Sequence, residues 1–331
     1  MKILPSGCFS ILKAGFSFVI AVALCALGFS MPALGQQSNA QRPNAGSLGR
    51  QARLAALNDP SLPGVMPTFY SPGQKARAQF LQGMLSGEMH FFHEQFGVVF
   101  APITMAVLTP EQWPKVARGL PYGMPSMSRK PPYIFVMPSD WHSVPGFSSE
   151  KVDLDPELLR RVRVSGETLE TLKIEGGDGI GAHEIGHSII RQLGIDPQTR
   201  WFDEFLATYT AYVYLNAGYP KYALGMEMMW RVDFLNLTHA HTSLDYFETN
   251  YHELVSKEPG NYGWYQSAFG KRALAIYPQE GPGFLDKIRK DFSSGGPKLD
   301  NAQVLDKLET INPGWKAWAQ HLGAGSSPTP H

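Results

Sequence analysis

Cysteine is nearly absent from this chain of 331 residues, which contains only Cys8 and Cys25. Both lie in an N-terminal segment that we expect to be removed, so the mature chain would have no thiol. That excludes disulfides and thiolate ligands, and any metal would have to be held by histidine and carboxylate side chains. An excess of either charge is also lacking, because 29 Lys and Arg balance 29 Asp and Glu. This balance argues against nucleic acid or an anionic membrane surface as a partner.

The longest apolar run lies within the first 35 residues. Lys2 and Lys13 supply positive charge, residues 14–29 are almost wholly apolar, and the following "MPALGQQ" offers small residues of the kind that precede a cleavage site. We therefore predict a signal peptide at 1–35 and a secreted or periplasmic protein. After removal of this segment we expect no stable membrane span. An uncleaved anchor helix is the alternative.

The rest of the chain has the composition and patterning of an α+β protein in two lobes. We predict a flexible lead-in at 36–63, an α/β lobe with a small β-sheet and the metal-binding helix at 64–200, a mostly helical lobe at 201–323, and a disordered tail at 324–331.

Local patterns place the elements of the first lobe. Apolar spacing predicts a helix within 71–96, and β-branched and aromatic residues bounded by proline predict strands within 98–108 and 132–138. Thr109, followed by proline, predicts the start of a short helix between those strands. We predict one further strand at 170–175.

The motif H-E-x-x-H occurs once, as His183, Glu184 and His187 within "GIGAHEIGHSIIRQLG". Side chains four residues apart on a helix project about 40° from one another, so both imidazoles would lie on one face and bind one Zn²⁺. Glu184 would then hold water as a general base without being a ligand. The alternative is a surface helix with a polar face, but the apolar residues around the motif favour burial, where such groups need partners.

A zinc hydrolase needs a third protein ligand, and Glu204 is the candidate. Gly194 would end the first helix, and an antiparallel second helix would bring Glu204 back to the histidines. Small residues on the same stripe, Ala207 and Ala211, would allow close approach. Gly186 on the first helix would serve the same approach. Asp203 is the rival ligand, although it points about 100° away around the helix.

"HEIGH" followed by "WFDEFLATY" resembles the gluzincin metallopeptidases, which include thermolysin-like and aminopeptidase-like enzymes. That family joins H-E-x-x-H to a glutamate on the next helix, often within W-x-x-E-x-x-A. The match covers about residues 179–214. The resemblance implies a zincin-like fold, zinc bound by His183, His187 and Glu204, and Glu184 as the base. It differs from the thermolysin-like pattern at Thr208, where those enzymes carry an aspartate that orients a histidine.

The resemblance also implies a tyrosine that stabilises the tetrahedral oxyanion. "NYGWYQSAFGKRAL" resembles the corresponding segment, with Tyr265 as the first candidate and Tyr262 as the second. The acidic segment by which aminopeptidases bind a free amine is absent, because "YGMPSM" has no glutamate. We therefore do not expect aminopeptidase specificity.

These features together predict a secreted zinc-dependent metallohydrolase, a peptidase acting on a peptide or protein substrate. One alternative is a non-catalytic zincin-like binding module, which a fourth protein ligand such as His252 would favour. Another is a zinc hydrolase with a non-peptide substrate. His90 and His93 lie three residues apart, but without a third ligand nearby we expect a packed or solvated pair.

Overall fold

The computed structural model describes residues 45–144 and 155–324, which form an α+β structure with a five-stranded mixed sheet. The predicted signal peptide at 1–35, the start of the lead-in and residues 325–331 of the predicted tail lie outside the described residues. Within the described part, no helix is both long and apolar enough to span a membrane.

The sheet contains β1 (Ser61–Leu62), β2 (Thr68–Tyr70), β3 (Ile103–Leu108), β4 (Ser126–Met127) and β5 (Tyr133–Pro138). Their spatial order is β1-β2-β3-β5-β4. The central pairs β2–β3 and β3–β5 are parallel, whereas both outer pairs are antiparallel. The two predicted strands rich in β-branched residues are thus confirmed as β3 and β5, which are almost entirely buried, as expected of parallel strands covered on both faces.

Helices make up most of the remaining structure. In chain order they are α1 (Ala45–Ala55), α2 (Lys75–Phe96), α3 (Trp113–Val116), α4 (Pro156–Ser165), α5 (Leu169–Gln192), α6 (Arg200–Gly218), α7 (Pro220–Asn236), α8 (Leu244–Lys257), α9 (Pro259–Glu280), α10 (Gly283–Asp291), α11 (Asn301–Ile311) and α12 (Trp315–Ala324).

Helix α2 confirms the helix predicted within 71–96 and connects the parallel strands β2 and β3. The short helix after β3 begins later than predicted, because Thr109 and the residues after it form a turn. The Thr109 carbonyl accepts hydrogen bonds from the backbone N–H groups of Gln112 and Trp113.

The flexible lead-in predicted at 36–63 is wrong for its described part. Helix α1 and β1 lie there, and Leu54 is buried in the main core. Two arginines attach α1 to the sheet lobe: Arg50 donates to the Ser126 carbonyl at 3.2 Å, and Arg53 donates to the Val116 carbonyl at 3.0 Å. The polar composition suggested a linker, but these long-range contacts order the segment.

The strand predicted at 170–175 is also wrong, because those residues form the first turns of α5. Thr168 caps the helix, and its hydroxyl accepts a hydrogen bond from the Thr171 N–H at 3.0 Å. Leu172 is fully buried in a small cluster with α4 and α7 residues. The segment predicted as a strand therefore belongs to a capped helix.

The site-bearing helix α5 is central among the described elements. It contacts α2, α6, α7 and the edge strand β4, while α6 also contacts α7, α8 and α9. The main hydrophobic cluster takes side chains from both predicted lobes, from Leu54 to Leu322. The α5–α6 pair is consequently held on several sides by packed helices.

Candidate metal centre

The connection between α5 and α6 reverses the chain within a few residues. Gly194 has a positive φ of 76°, a conformation that glycine adopts without a Cβ penalty. Helix α6 starts at Arg200, so Glu204 lies in its second turn and returns toward α5. The turn that the sequence predicted at Gly194 therefore brings the two helices side by side.

Close contact between α5 and α6 depends on Gly186. A Cβ at this position would lie 2.8 Å from the Ala207 carbonyl oxygen and 3.2 Å from its Cα. The clash would involve the backbone of α6, which cannot rotate away as a side chain can. Gly186 and Ala207 thus set the spacing at which the side chains of both helices meet.

His183, His187 and Glu204 come together between these helices. One ligand atom from each lies within 4.8 Å of the other two. Glu204 Oε2 is 3.3 Å from His183 Nε2 and 3.6 Å from His187 Nε2. Among residues 45–144 and 155–324, this is the group of histidine and acidic side chains that could hold a metal ion.

The buried atoms of the group fit a divalent metal. His183 Nε2 is buried and has no hydrogen-bond partner among the described residues, since its contact with Glu204 lacks hydrogen-bond geometry. An unpartnered buried nitrogen is costly unless a ligand satisfies it. Two imidazole nitrogens and one carboxylate oxygen form a donor set that suits zinc. His183, His187 and Glu204 are therefore the residues that could hold the ion.

The far side of each imidazole also faces an oxygen. His183 Nδ1 lies 3.1 Å from the hydroxyl of the buried Thr208, and His187 Nδ1 lies 3.3 Å from Asp203 Oδ1. When His183 Nε2 binds a metal, its Nδ1 carries the proton and the Thr208 hydroxyl would accept it. The His187–Asp203 contact is an ion pair without hydrogen-bond geometry. Thr208 thus occupies the place where the thermolysin-like pattern has aspartate. Asp203, the rival ligand, lies behind His187 rather than within the metal group.

Two side chains from later helices fix the Glu204 carboxylate. The Tyr251 hydroxyl of α8 donates to Glu204 Oε1 at 2.8 Å, and the Gln266 amide of α9 donates to Oε2 at 3.0 Å. The same amide donates to the Tyr262 hydroxyl at 2.7 Å. Glu204 is consequently oriented by α8 and α9 as well as by its own helix.

Burial and neighbouring charges shift the titration of these groups. Burial raises the pKa of Glu184, against the opposing effect of His187 and His183. Burial by itself would lower the pKa of His187, but Asp203 and Glu204 raise it well above its usual value. Burial would raise the pKa of Glu204, yet His187 and His183 hold it well below its usual range. Glu204 is therefore ionised in its ordinary state, as a metal ligand must be.

The approach from solvent lies on the His187 side. The His183 and Glu204 side chains are 4% and 8% exposed, whereas those of His187 and Asp203 are 12% and 30% exposed. Water or a substrate would therefore meet the group next to His187, while His183 and Glu204 stay shielded by packed helices.

Tyr265 does not contact the group formed by His183, His187 and Glu204. Its hydroxyl donates to the Ser243 carbonyl at 2.8 Å, and its other electrostatic neighbours are Tyr246 and Glu258. Tyr262, the second candidate, is connected to Glu204 through Gln266. The oxyanion role that the resemblance implied for Tyr265 is therefore not supported by its position.

The other histidines weighed as ligands, His252, His90 and His93, stay apart from the group. His252 is exposed and is not one of its members. His90 is exposed, and His93 Nδ1 lies 3.0 Å from the Val98 carbonyl oxygen. His90 and His93 are therefore a solvated and a packed side chain, as predicted for this pair.

Comparisons of the whole chain with known protein families, with curated proteins and with solved structures found no match. The resemblance to gluzincins therefore rests on the motif residues of α5 and α6.

Proposed function

We propose that this protein is a secreted or periplasmic zinc-dependent metallohydrolase that cleaves peptide bonds and is related in its site to the gluzincins. The observation that carries the proposal is that one ligand atom each of His183, His187 and Glu204 lies within 4.8 Å of the other two. Glu184 lies next to His183 on α5. Three protein ligands are the number that catalytic zinc sites use, since such sites keep one position for water or substrate. The apolar N-terminal segment supports export.

The α5–α6 pair supports a zincin-like arrangement for the two predicted lobes. In this arrangement the lobe at 64–200 supplies α5 and the sheet, and the helical lobe at 201–323 supplies Glu204 and the residues that orient it. Strand β4 is at an edge of the sheet and contacts α5. The resemblance of the α5–α6 motif residues to the gluzincin metallopeptidases favours a peptide substrate.

A zinc ion bound at this site would polarise the scissile carbonyl and acidify water. Glu184 accepts the proton of the attacking water and passes it to the leaving amine. Thr208 and Asp203 keep the two imidazoles oriented, and Tyr251 and Gln266 hold the carboxylate of Glu204 in place. The packed helices around α5 exclude bulk water, which strengthens these interactions.

The decisive experiment combines metal analysis with turnover in the purified chain and in Glu184→Gln. We expect zinc in both proteins and hydrolysis of a peptide panel by the unaltered protein alone. A parallel panel of esters separates a peptidase from a hydrolase with another substrate. Full activity in Glu184→Gln would refute the assigned base, and a zinc-free protein active on peptides would refute the whole proposal.

Burial favours one second candidate, a binding module with a non-catalytic zinc site. His183 is only 3% exposed and Glu184 only 7% exposed, which restricts access to any metal. A zinc-loaded protein without turnover on either panel, and with its unfolding temperature lowered by chelation, would support this candidate.

A further inference from the structure

The tyrosine that contacts Glu204 lies beside an exposed arginine and an exposed histidine. The guanidinium carbon of Arg200 lies 5.2 Å from the centre of the Tyr251 ring. The ring of the exposed His252 is 6.1 Å from the same ring. Arg129, on the turn between β4 and β5, acts electrostatically on the same His252. We call Arg129 and Arg200 the arginine pair.

Neither guanidinium of the arginine pair is neutralised within residues 45–144 and 155–324. Both side chains are exposed, and neither makes an ion pair or a side-chain hydrogen bond with another described residue. Glu248 lies close, but it accepts a hydrogen bond at 2.7 Å from the backbone N–H of Arg200 and so caps α6. Other arginines do have carboxylate partners: Arg77, Arg160, Arg161 and Arg231.

The local field at His252 is accordingly positive. Burial lowers the pKa of His252, and the charges of Arg200 and Arg129 lower it further. A guanidinium placed over an aromatic ring keeps N–H donors at its edge, and these donors match the geometry of a carboxylate. The arginine pair therefore has the chemistry to bind an anion with planar oxygens.

We propose that Arg129 and Arg200 form a subsite for a carboxylate of the substrate. This inference rests on the proposed peptidase function and specifies its substrate class. Tyr251 connects Arg200 to Glu204, so the Arg200 guanidinium lies within about 15 Å of the proposed metal position, a span of roughly four extended residues. The preferred substrates are peptides with a C-terminal carboxylate or an acidic side chain within about four residues of the cleaved bond.

Binding to zinc-loaded Glu184→Gln tests the subsite without turnover. The three probes are N-acetyl-tetra-alanine with a free C-terminal carboxylate, its C-terminal amide, and an amide of the same length with one aspartate. We expect at least one acidic probe to bind about tenfold more tightly than the neutral amide at low salt. The acidic probe that gains affinity identifies the source of the carboxylate.

A double variant, Arg129→Gln with Arg200→Gln, should bind all three probes equally. The matched control is Arg160→Gln, since Arg160 is exposed but paired with Glu157 on α4. The control should keep the preference for the acidic probe. Equal binding of all probes to the parent, no detectable binding of any probe, or a preference that survives in the double variant would overturn the inference.

The outcomes separate this inference from the proposed function. Zinc-dependent cleavage of a neutral peptide without any carboxylate preference would retain the peptidase and reject the subsite. If the chain binds no zinc and shows no turnover, the same probes are measured on the metal-free chain. A carboxylate preference there that the double variant loses would reject the peptidase and retain the subsite.

Discussion

Thr208 offers the sharpest test of how this chain supports a metal ligand. Its hydroxyl is the oxygen at His183 Nδ1, 3.1 Å away, and the side chain is 2% exposed. Thr208→Val keeps the shape of the side chain but removes the acceptor. The imidazole then loses the contact that orients its ring, while the packing of α6 changes little.

The expected loss follows from the strength of one buried hydrogen bond. Such a bond contributes about 0.5–1.5 kcal/mol, and removal of comparable partners behind metal-binding histidines typically weakens metal affinity about 10–100-fold. We therefore expect the zinc dissociation constant of Thr208→Val to rise about tenfold.

Competition with a chromophoric chelator measures this change at fixed pH. Thr208→Ser is the matched control, because it keeps the hydroxyl and should remain close to the parent. Unfolding temperatures of the metal-free proteins check that the fold is intact. An unchanged dissociation constant in Thr208→Val, with a normal fold, would refute the role assigned to this hydroxyl.

Three further predictions concern the packing at Gly186, the titration of Asp233 and the role of Tyr265. Gly186→Leu should lower zinc occupancy and destabilise the fold by about 1–3 kcal/mol, because even its Cβ clashes with the Ala207 backbone. The control Gly83→Ala, where a Cβ meets nothing within 4 Å, should change neither zinc occupancy nor stability. Equal zinc occupancy in the parent and both variants would contradict the role of Gly186. Burial raises the pKa of Asp233 to about 8, so the folded state holds a proton that the unfolded state loses above pH about 4, and stability falls as pH rises toward 8. Denaturant unfolding should therefore show Asp233→Asn gaining up to about 3 kcal/mol relative to the parent between pH 5.5 and 7.5, whereas a constant difference would reject the shift. Tyr265→Phe should keep turnover within about twofold and lose about 1 kcal/mol of stability; a loss of turnover of a hundredfold would restore the oxyanion role to this residue.

Local sequence patterns predicted the elements whose signals are local. Helix α6 (Arg200–Gly218) is the second helix that the sequence predicted to carry Glu204, and its apolar pattern and its final Gly218 are strong local signals. Strands β3 and β5 follow from runs of β-branched and aromatic residues. The pairing of His183 with His187 needed only the helical period, and Glu204 needed only the turn at Gly194.

Other features depended on contacts that no local pattern records. Helix α1 is ordered by arginines that bond carbonyls 63 and 76 residues away. Tyr251 and Gln266 lie 47 and 62 residues from Glu204, and nothing in their own neighbourhoods marks them as its partners. Tyr265 resembled a catalytic tyrosine in its sequence context, yet Tyr262 is the one in the hydrogen-bond network, because a shift of three residues changes the position on α9.

X-ray absorption at the zinc edge, together with metal content, reports whether His183, His187 and Glu204 hold a zinc ion. In the purified chain we predict about one zinc per molecule with two imidazole nitrogens at about 2.0–2.1 Å and oxygen as the remaining ligand type, and a strong loss of zinc in Glu204→Ala. A protein that binds no zinc, a site with three or more imidazoles, or full occupancy in Glu204→Ala would contradict the account.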